Sequence, residues 1–130
     1  MDDYEAAKRK AKEFYKTIGR VWCPALGDTV RFTAVGFQHI MRKRGKRRQR
    51  DEQKRRFGLL RYAVFILADP DALFIRREKV EQKFVKSFEP KRLFATNARF
   101  WSFKQIVDEL PVTVLVRQLG NGEKHFFSIY

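Results

Sequence analysis

From Arg48 to Ala68 the chain runs without a proline, and halfway along it changes character. The first part, RQRDEQKRR, is wholly polar, whereas FGLLRYAVFILA is apolar almost all round. A single helix over this stretch spans about 30 Å at 1.5 Å per residue, its first half wet and its second half driven through a core. Asp69-Pro70-Asp71 stops it, because proline cannot continue the hydrogen-bond ladder. Whatever the rest of the chain forms must wrap the apolar half and leave the basic half fixed beside it.

That basic half belongs to a denser block. Between Arg42 and Arg56 lie ten Lys/Arg against only Asp51 and Glu52, so these fifteen residues carry +8 of the chain's +14. Such a block repels itself unless something anionic lies against it, and the commonest large polyanion is nucleic acid. Arg42, Lys43, Arg44, Lys46, Arg47, Arg48, Arg50, Lys54 and Arg55 are therefore the expected nucleic-acid contacts. A solvated basic loop with a flanking helix face is the plainer alternative.

At 130 residues the chain is read as one domain over 1–130, large enough to bury about two-thirds of the surface its unfolded form exposes. A hydrophobic fraction of 44%, with thirteen Phe, separates it from a disordered basic tail. The lone Cys23 reads as a buried thiol, and neither a CxxC pair nor a Cys/His cluster is available for zinc. No phosphate loop of the GxxxxGK[ST] or GxGxxG type and no HExxH occurs, so neither a metal nor a cofactor is expected. The N-terminal MDDYEAAKRKAKEFY is charged throughout, and the longest apolar run, Ala63 to Ala68, is far below spanning length. The expected location is the cytoplasm, without a membrane partner.

Taken in order, Asp2 and Asp3 cap a helix carrying Tyr4, Ala7, Ala11, Phe14 and Ile18 on one stripe, ended by Gly19. RVWCPALGD reads as an irregular connection, Thr29 to Thr33 as a short strand, and Val35 to Lys43 as a short helix bearing His39. Gly45 breaks the chain before the long helix. Beyond Pro70 the period switches to two. Expected strands are Leu73 to Arg76, Gln82 to Phe88, Arg92 to Thr96, Arg99 to Phe103, Val112 to Leu119 and Glu123 to Tyr130, with a helical turn over Lys104 to Glu109. The fold class is α+β, with N-terminal helices packed on a four- to five-stranded antiparallel sheet.

The last two strands form a hairpin, since Gly120-Asn121-Gly122 between alternating runs supplies the positive φ such turns need. With Asn121-Gly122 as the turn, Val112, Val114 and Val116 share the core face with Phe127 and Ile129. The other face gathers Thr113, Arg117, Lys124, Ser128 and Tyr130, an unusual polar concentration. His125 falls beside Gln118 at the rim and is weighted below them.

A short strand leading into GFQHI, a following basic helix, an α-then-β order and a closing hairpin ending KHFFSIY together form a pattern. It resembles the small metal-independent ribonucleases grouped with barnase, EndoU, RelE and the colicin tRNases, especially their phage-borne and toxin-like branches. The resemblance covers Val30 to Arg61 and Val112 to Tyr130 in pattern and the middle only by element order. It implies RNA cleavage on the concave face of the sheet. It also implies a site made of His39, a basic residue among Arg42, Lys43 and Arg55, and Ser128. No glutamate stands out as a general base, and Lys124 has no clear counterpart in the group.

The chemistry can be stated without the family. Metal-free RNA cleavage uses the ribose 2′-OH as nucleophile, so a base must take its proton, an acid must protonate the leaving 5′-oxygen, and cations must stabilise the phosphorane. His39 is the expected base, with its pKa lowered by neighbouring cations. Arg117 or Lys124 would stabilise the oxyanion, and Ser128 or Tyr130 would orient the phosphate. The rival reading is a non-catalytic nucleic-acid-binding module, in which Phe100, Trp101 or Phe103 stack on bases. An acidic antitoxin or immunity protein is a partner compatible with the first reading.

Overall fold

A computed structural model describes residues 2–85 and 92–130 of the chain. Helix α1 (Asp3–Ile18) opens with Asp2, whose carboxylate accepts the Glu5 amide at 2.8 Å, and turns Tyr4, Ala11 and Tyr15 inward. Strands β1 (Arg20–Cys23) and β2 (Asp28–Arg31) pair antiparallel, and helix α2 (Ala34–Met41) follows. Next come a two-residue ribbon, β3 (Arg42–Lys43) with β4 (Lys46–Arg47), and the long helix α3 (Arg50–Ala68). Strands β5 (Phe74–Val85), β6 (Arg92–Val107), β7 (Leu110–Leu119) and β8 (His125–Ile129) complete the chain.

The architecture is α+β: three helices packed on a six-stranded mixed sheet of order β1-β2-β8-β7-β6-β5, plus the separate β3–β4 ribbon. The sheet therefore exceeds the expected four or five strands, and it is not wholly antiparallel, because β2 meets β8 in parallel. The extra strand is β1, from RVWCPALGD, read in the sequence as a loop, whereas β2 answers to the short strand expected over Thr29 to Thr33 and spans Asp28–Arg31. Val21 and Cys23 alternate inward from Arg20 and Trp22, and the turn before Gly27, at φ 61°, folds the chain back. Four residues are too few to stand out by periodicity alone.

Two further expectations are corrected by the long strands. Phe74 to Arg76 of the expected Leu73 to Arg76, and the described part of Gln82 to Phe88, belong to the single strand β5, and residues 86–88 of the latter lie outside the described residues. Arg92 to Phe103 likewise forms one strand, and β6 continues to Val107 in place of a helical turn. Asp108 and Glu109, at φ 48° and 67°, make the tight reversal into β7. Both conformations match the twist of a two-residue hairpin.

The core lies between the helices and one face of the sheet. Val112, Val114, Val116, Phe126, Ile129 and Phe103 are fully or almost fully buried there, against Ile40, Leu60, Ala63 and Leu67. Phe32 stacks on Phe126 at 4.8 Å and Phe37 on Phe57 at 6.0 Å. Helix α2 presses on β8 so closely that a Cβ on Gly36 would lie 2.6 Å from the Phe126 ring, the Phe126 carbonyl and the Tyr15 hydroxyl. Only glycine permits this approach.

Candidate functional site

Strand β8 touches β2 at a single register pair, Arg31 with His125, so its remaining residues have one edge without a strand partner. Helices α2 and α3 supply the side chains that lie against that edge. Arg56, on α3 and almost wholly buried, donates from one guanidinium nitrogen to the Ser128 hydroxyl at 3.0 Å and the Ile129 carbonyl at 3.2 Å. Its Nε is held by Glu52 at 2.8 Å. The Tyr130 ring lies 5.6 Å from the same guanidinium carbon. Arg56 thus satisfies an edge carbonyl that would otherwise need water.

The register of the hairpin brings the second half of the site together. Val114 pairs with Ile129 and Leu115 with Ser128, as a turn at Asn121-Gly122 requires. A β-bulge then intervenes, and beyond it Val116 pairs with Phe126 and Arg117 with His125. The extra residue is Phe127. Since a one-residue slip exchanges the faces of a strand, the bulge sends Phe126, rather than Phe127, into the core and moves His125 from the Gln118 rim to the side of Arg117. The expected face assignment is corrected accordingly.

Around Phe127 the groups converge. Its ring centroid lies 4.3 Å from His39, 6.5 Å from His125 and 5.7 Å from Phe100, and the Arg117 guanidinium sits 4.4 Å from it. Arg117 donates its Nε to His125 Nε2 at 2.9 Å and pairs with Glu81 of β5 at 3.4 Å. Accepting at Nε2 leaves the proton of a neutral His125 ring on Nδ1, which lies 3.5 Å from the Glu123 carbonyl. Glu81, Arg117 and His125, from three strands, thereby form one chain of contacts. Burial lowers the Arg117 pKa while Glu81 opposes that effect.

The His39 ring is pushed down to about 4, first by burial and then by the charges of Arg48, Arg56, Arg117 and Lys43. It is neutral across the physiological range. Its Nδ1 is buried without a hydrogen-bond partner among the described residues, and its backbone carbonyl accepts Arg48 Nε at 3.1 Å. Glu52, between Arg55 and Arg56, is held down to about 2, chiefly by the hydrogen bond from Arg55. Alongside lies a groove of about 460 Å³ on the sheet face away from the core, floored by Phe100, Ser102, Leu115, Phe127 and Tyr130 and edged by Arg77, Lys79 and Lys104.

Of the residues singled out from sequence, His39, Arg117, Ser128 and Tyr130 are brought to this edge. Lys124 is not. Its ammonium bonds Asp28 at 2.7 Å and lies over the Trp101 ring at 5.2 Å, at the β1–β2 end of the sheet, because the bulge and a five-residue loop remove it from the Arg117 face. Arg48 borders the site. Arg42, Lys43, Arg44, Lys46 and Arg47 form the ribbon beside it, whereas Arg50 turns to Asp2 and the Tyr4 ring. Lys54 and Arg55 are exposed, the latter on Glu52.

Sequence reasoning missed Arg56, Glu52, Glu81 and the weight of His125. For Arg56 the signal was present: it lies three residues after the buried Gln53 and four before the buried Leu60, on the inward stripe of α3. Gln53 itself accepts the Tyr4 hydroxyl and donates to the Arg48 carbonyl at 2.7 Å, so the polar half of the helix is not wholly wet. Among the described residues no three His, Cys, Asp or Glu side chains gather to hold a metal, and no helix is long and apolar enough to cross a membrane. Comparison with family models, with curated proteins and with solved structures returns no match to the chain.

Proposed function

We propose that this chain is a metal-independent endoribonuclease that cleaves RNA by attack of the ribose 2′-OH, of the barnase, EndoU, colicin and RelE type in its toxin-like branch. The observation that carries this reading is the meeting of a neutral histidine, a second histidine and the Glu81-held Arg117 around Phe127, with the Glu52-held Arg56 on the next residue, Ser128, at the open edge of β8. His39 is the base. A phosphate entering beside Arg56 and Arg117 raises its proton affinity at the moment of need, since an anion favours the charged ring. Arg56 and Arg117 stabilise the charge that develops on the phosphorane, and their carboxylate partners pre-set their positions. His125, on the other side of Phe127, acts as the acid for the leaving 5′-oxygen in its imidazolium form, in which Nε2 holds the proton to be given up and no longer accepts from Arg117. Tyr130 orients the phosphate from the exposed side, whereas Ser128 acts by fixing Arg56. An acidic inhibitor protein is the partner such an enzyme calls for.

The test is incubation of the purified protein with total RNA in excess EDTA, followed by identification of the fragment ends. The intact chain should yield discrete fragments with 2′,3′-cyclic phosphate, and His39→Ala or His125→Ala should reduce the rate at least a hundredfold, as loss of general acid or base does. Retarded but uncut RNA with the intact chain would replace this reading by the non-catalytic one, which rests on the exposed cations of the β3–β4 ribbon.

A further inference from the structure

The β3–β4 ribbon carries no apolar side chain. Arg42 stands opposite Arg47 and Lys43 opposite Lys46, with Arg44 and Gly45 turning at the tip at φ 53° and 76°. Like charges directly opposite in a ladder destabilise it, and a two-stranded ribbon is marginal even without that penalty. All five cations are exposed, and among the described residues none has an ion pair. The ribbon is nonetheless held firmly at its base, where the Arg48 amide donates to the Met41 carbonyl at 2.9 Å and Arg48 Nε to the His39 carbonyl. An unfavourable array of five exposed cations fixed in place calls for an anion.

The shape of the array restricts which anion. Cross-strand partners share a face and neighbours along a strand oppose, so Arg42 and Arg47 look one way, Lys43 and Lys46 the other, and Arg44 forward. A flat anionic surface, whether a membrane or an acidic protein face, meets one side only. A groove with phosphates on both walls meets all of them. The major groove of A-form RNA is deep, narrow and walled in this way, and it is recognised through backbone and shape rather than base edges.

We propose that the ribbon docks on double-stranded RNA, entering tip first where a loop or bulge opens the groove of a stem, and so presents the adjoining unpaired nucleotides to the His39 site. The presentation half rests on the ribonuclease reading, whereas the docking half does not.

The experiment measures binding alone. A stem-loop with 2′-deoxy loop nucleotides and a linear strand of equal length and chemistry are titrated by fluorescence anisotropy at several salt concentrations. The stem-loop should bind at least tenfold tighter. Arg44→Gln, Lys46→Gln and Arg47→Gln should each weaken it several-fold and lower the slope of log affinity against log salt by about one. These side chains are exposed, so the thermal midpoints should hold. Equal affinity for the two RNAs overturns the proposal. So does a dependence on only one of Lys46 and Arg47, and the same one-sided dependence with phosphatidylserine vesicles would point to a membrane instead. A chain that docks as expected but cuts nothing removes the ribonuclease reading, and the presentation half with it, and leaves the docking half standing. One that cuts linear RNA in EDTA without preferring stems removes this proposal alone.

Discussion

His39 and Arg56 show how a residue's surroundings set its chemistry. An unfolded histidine titrates near 6.5 and this one near 4, so between those values the unfolded chain binds a proton that the folded chain refuses. Stability should therefore fall as the pH drops through that window, by about 1.4 kcal/mol per pH unit, and level off below it. Urea unfolding from pH 7 to pH 4 measures this, and His39→Gln should flatten the curve. On the ribonuclease reading, the acid limb of kcat/KM, which reports the free enzyme, should fall near pH 4. That of kcat should lie higher, because bound phosphate raises the pKa of the ring. Arg56→Ala should cost about 2–3 kcal/mol in the same unfolding experiment, since the Ser128 hydroxyl, the Ile129 carbonyl and Glu52 lose one shared donor. Arg55→Ala, at an exposed pair, should cost less than about 1 kcal/mol.

Among the elements, the close packing of α2 on β8 decides whether the site exists. Alanine at Gly36 would gain about 1 kcal/mol of helix propensity, yet its Cβ would strike the Phe126 ring, the Phe126 carbonyl and the Tyr15 hydroxyl at 2.6 Å. The overpacking should win, with a net loss of about 1–3 kcal/mol by chemical unfolding. On the ribonuclease reading, activity should fall further than stability, because α2 carries His39. How legible each element was from sequence follows from its length and pattern. Helix α1 has its cap, α3 its change of character, and the last hairpin its glycines, and all three stand where those signals lie, although the inward stripe of α1 takes Tyr15 while the expected Phe14 is exposed. Strand β1, with four residues, was hidden by Pro24 and Gly27, whereas the alternation of β2 was visible over Thr29 to Thr33. The bulge in β8 leaves no mark in FFSI, since either Phe126 or Phe127 satisfies an alternating pattern.

For the molecule as a whole, a charge of +14 opposes the compact state through self-repulsion. Added salt should raise the thermal midpoint at low ionic strength as the screening length falls below the spacing of the cations. Inorganic polyphosphate should raise it at much lower concentration by binding the folded form, which calorimetry at fixed pH would read.

By itself the sequence determined the α+β class, the long helix, the closing hairpin, the basic block and the candidacy of His39, Arg117, Ser128 and Tyr130. These follow from period, charge and turn chemistry, which act between near neighbours. The tertiary structure decided that β8 keeps an open edge, that Arg56 rather than Arg55 reaches across it, and that Glu81 and His125 meet at Arg117 while Lys124 leaves. Each depends on a register or an approach between segments that lie far apart in the chain. Local pattern cannot encode such a register when two neighbouring phenylalanines fill the core equally well.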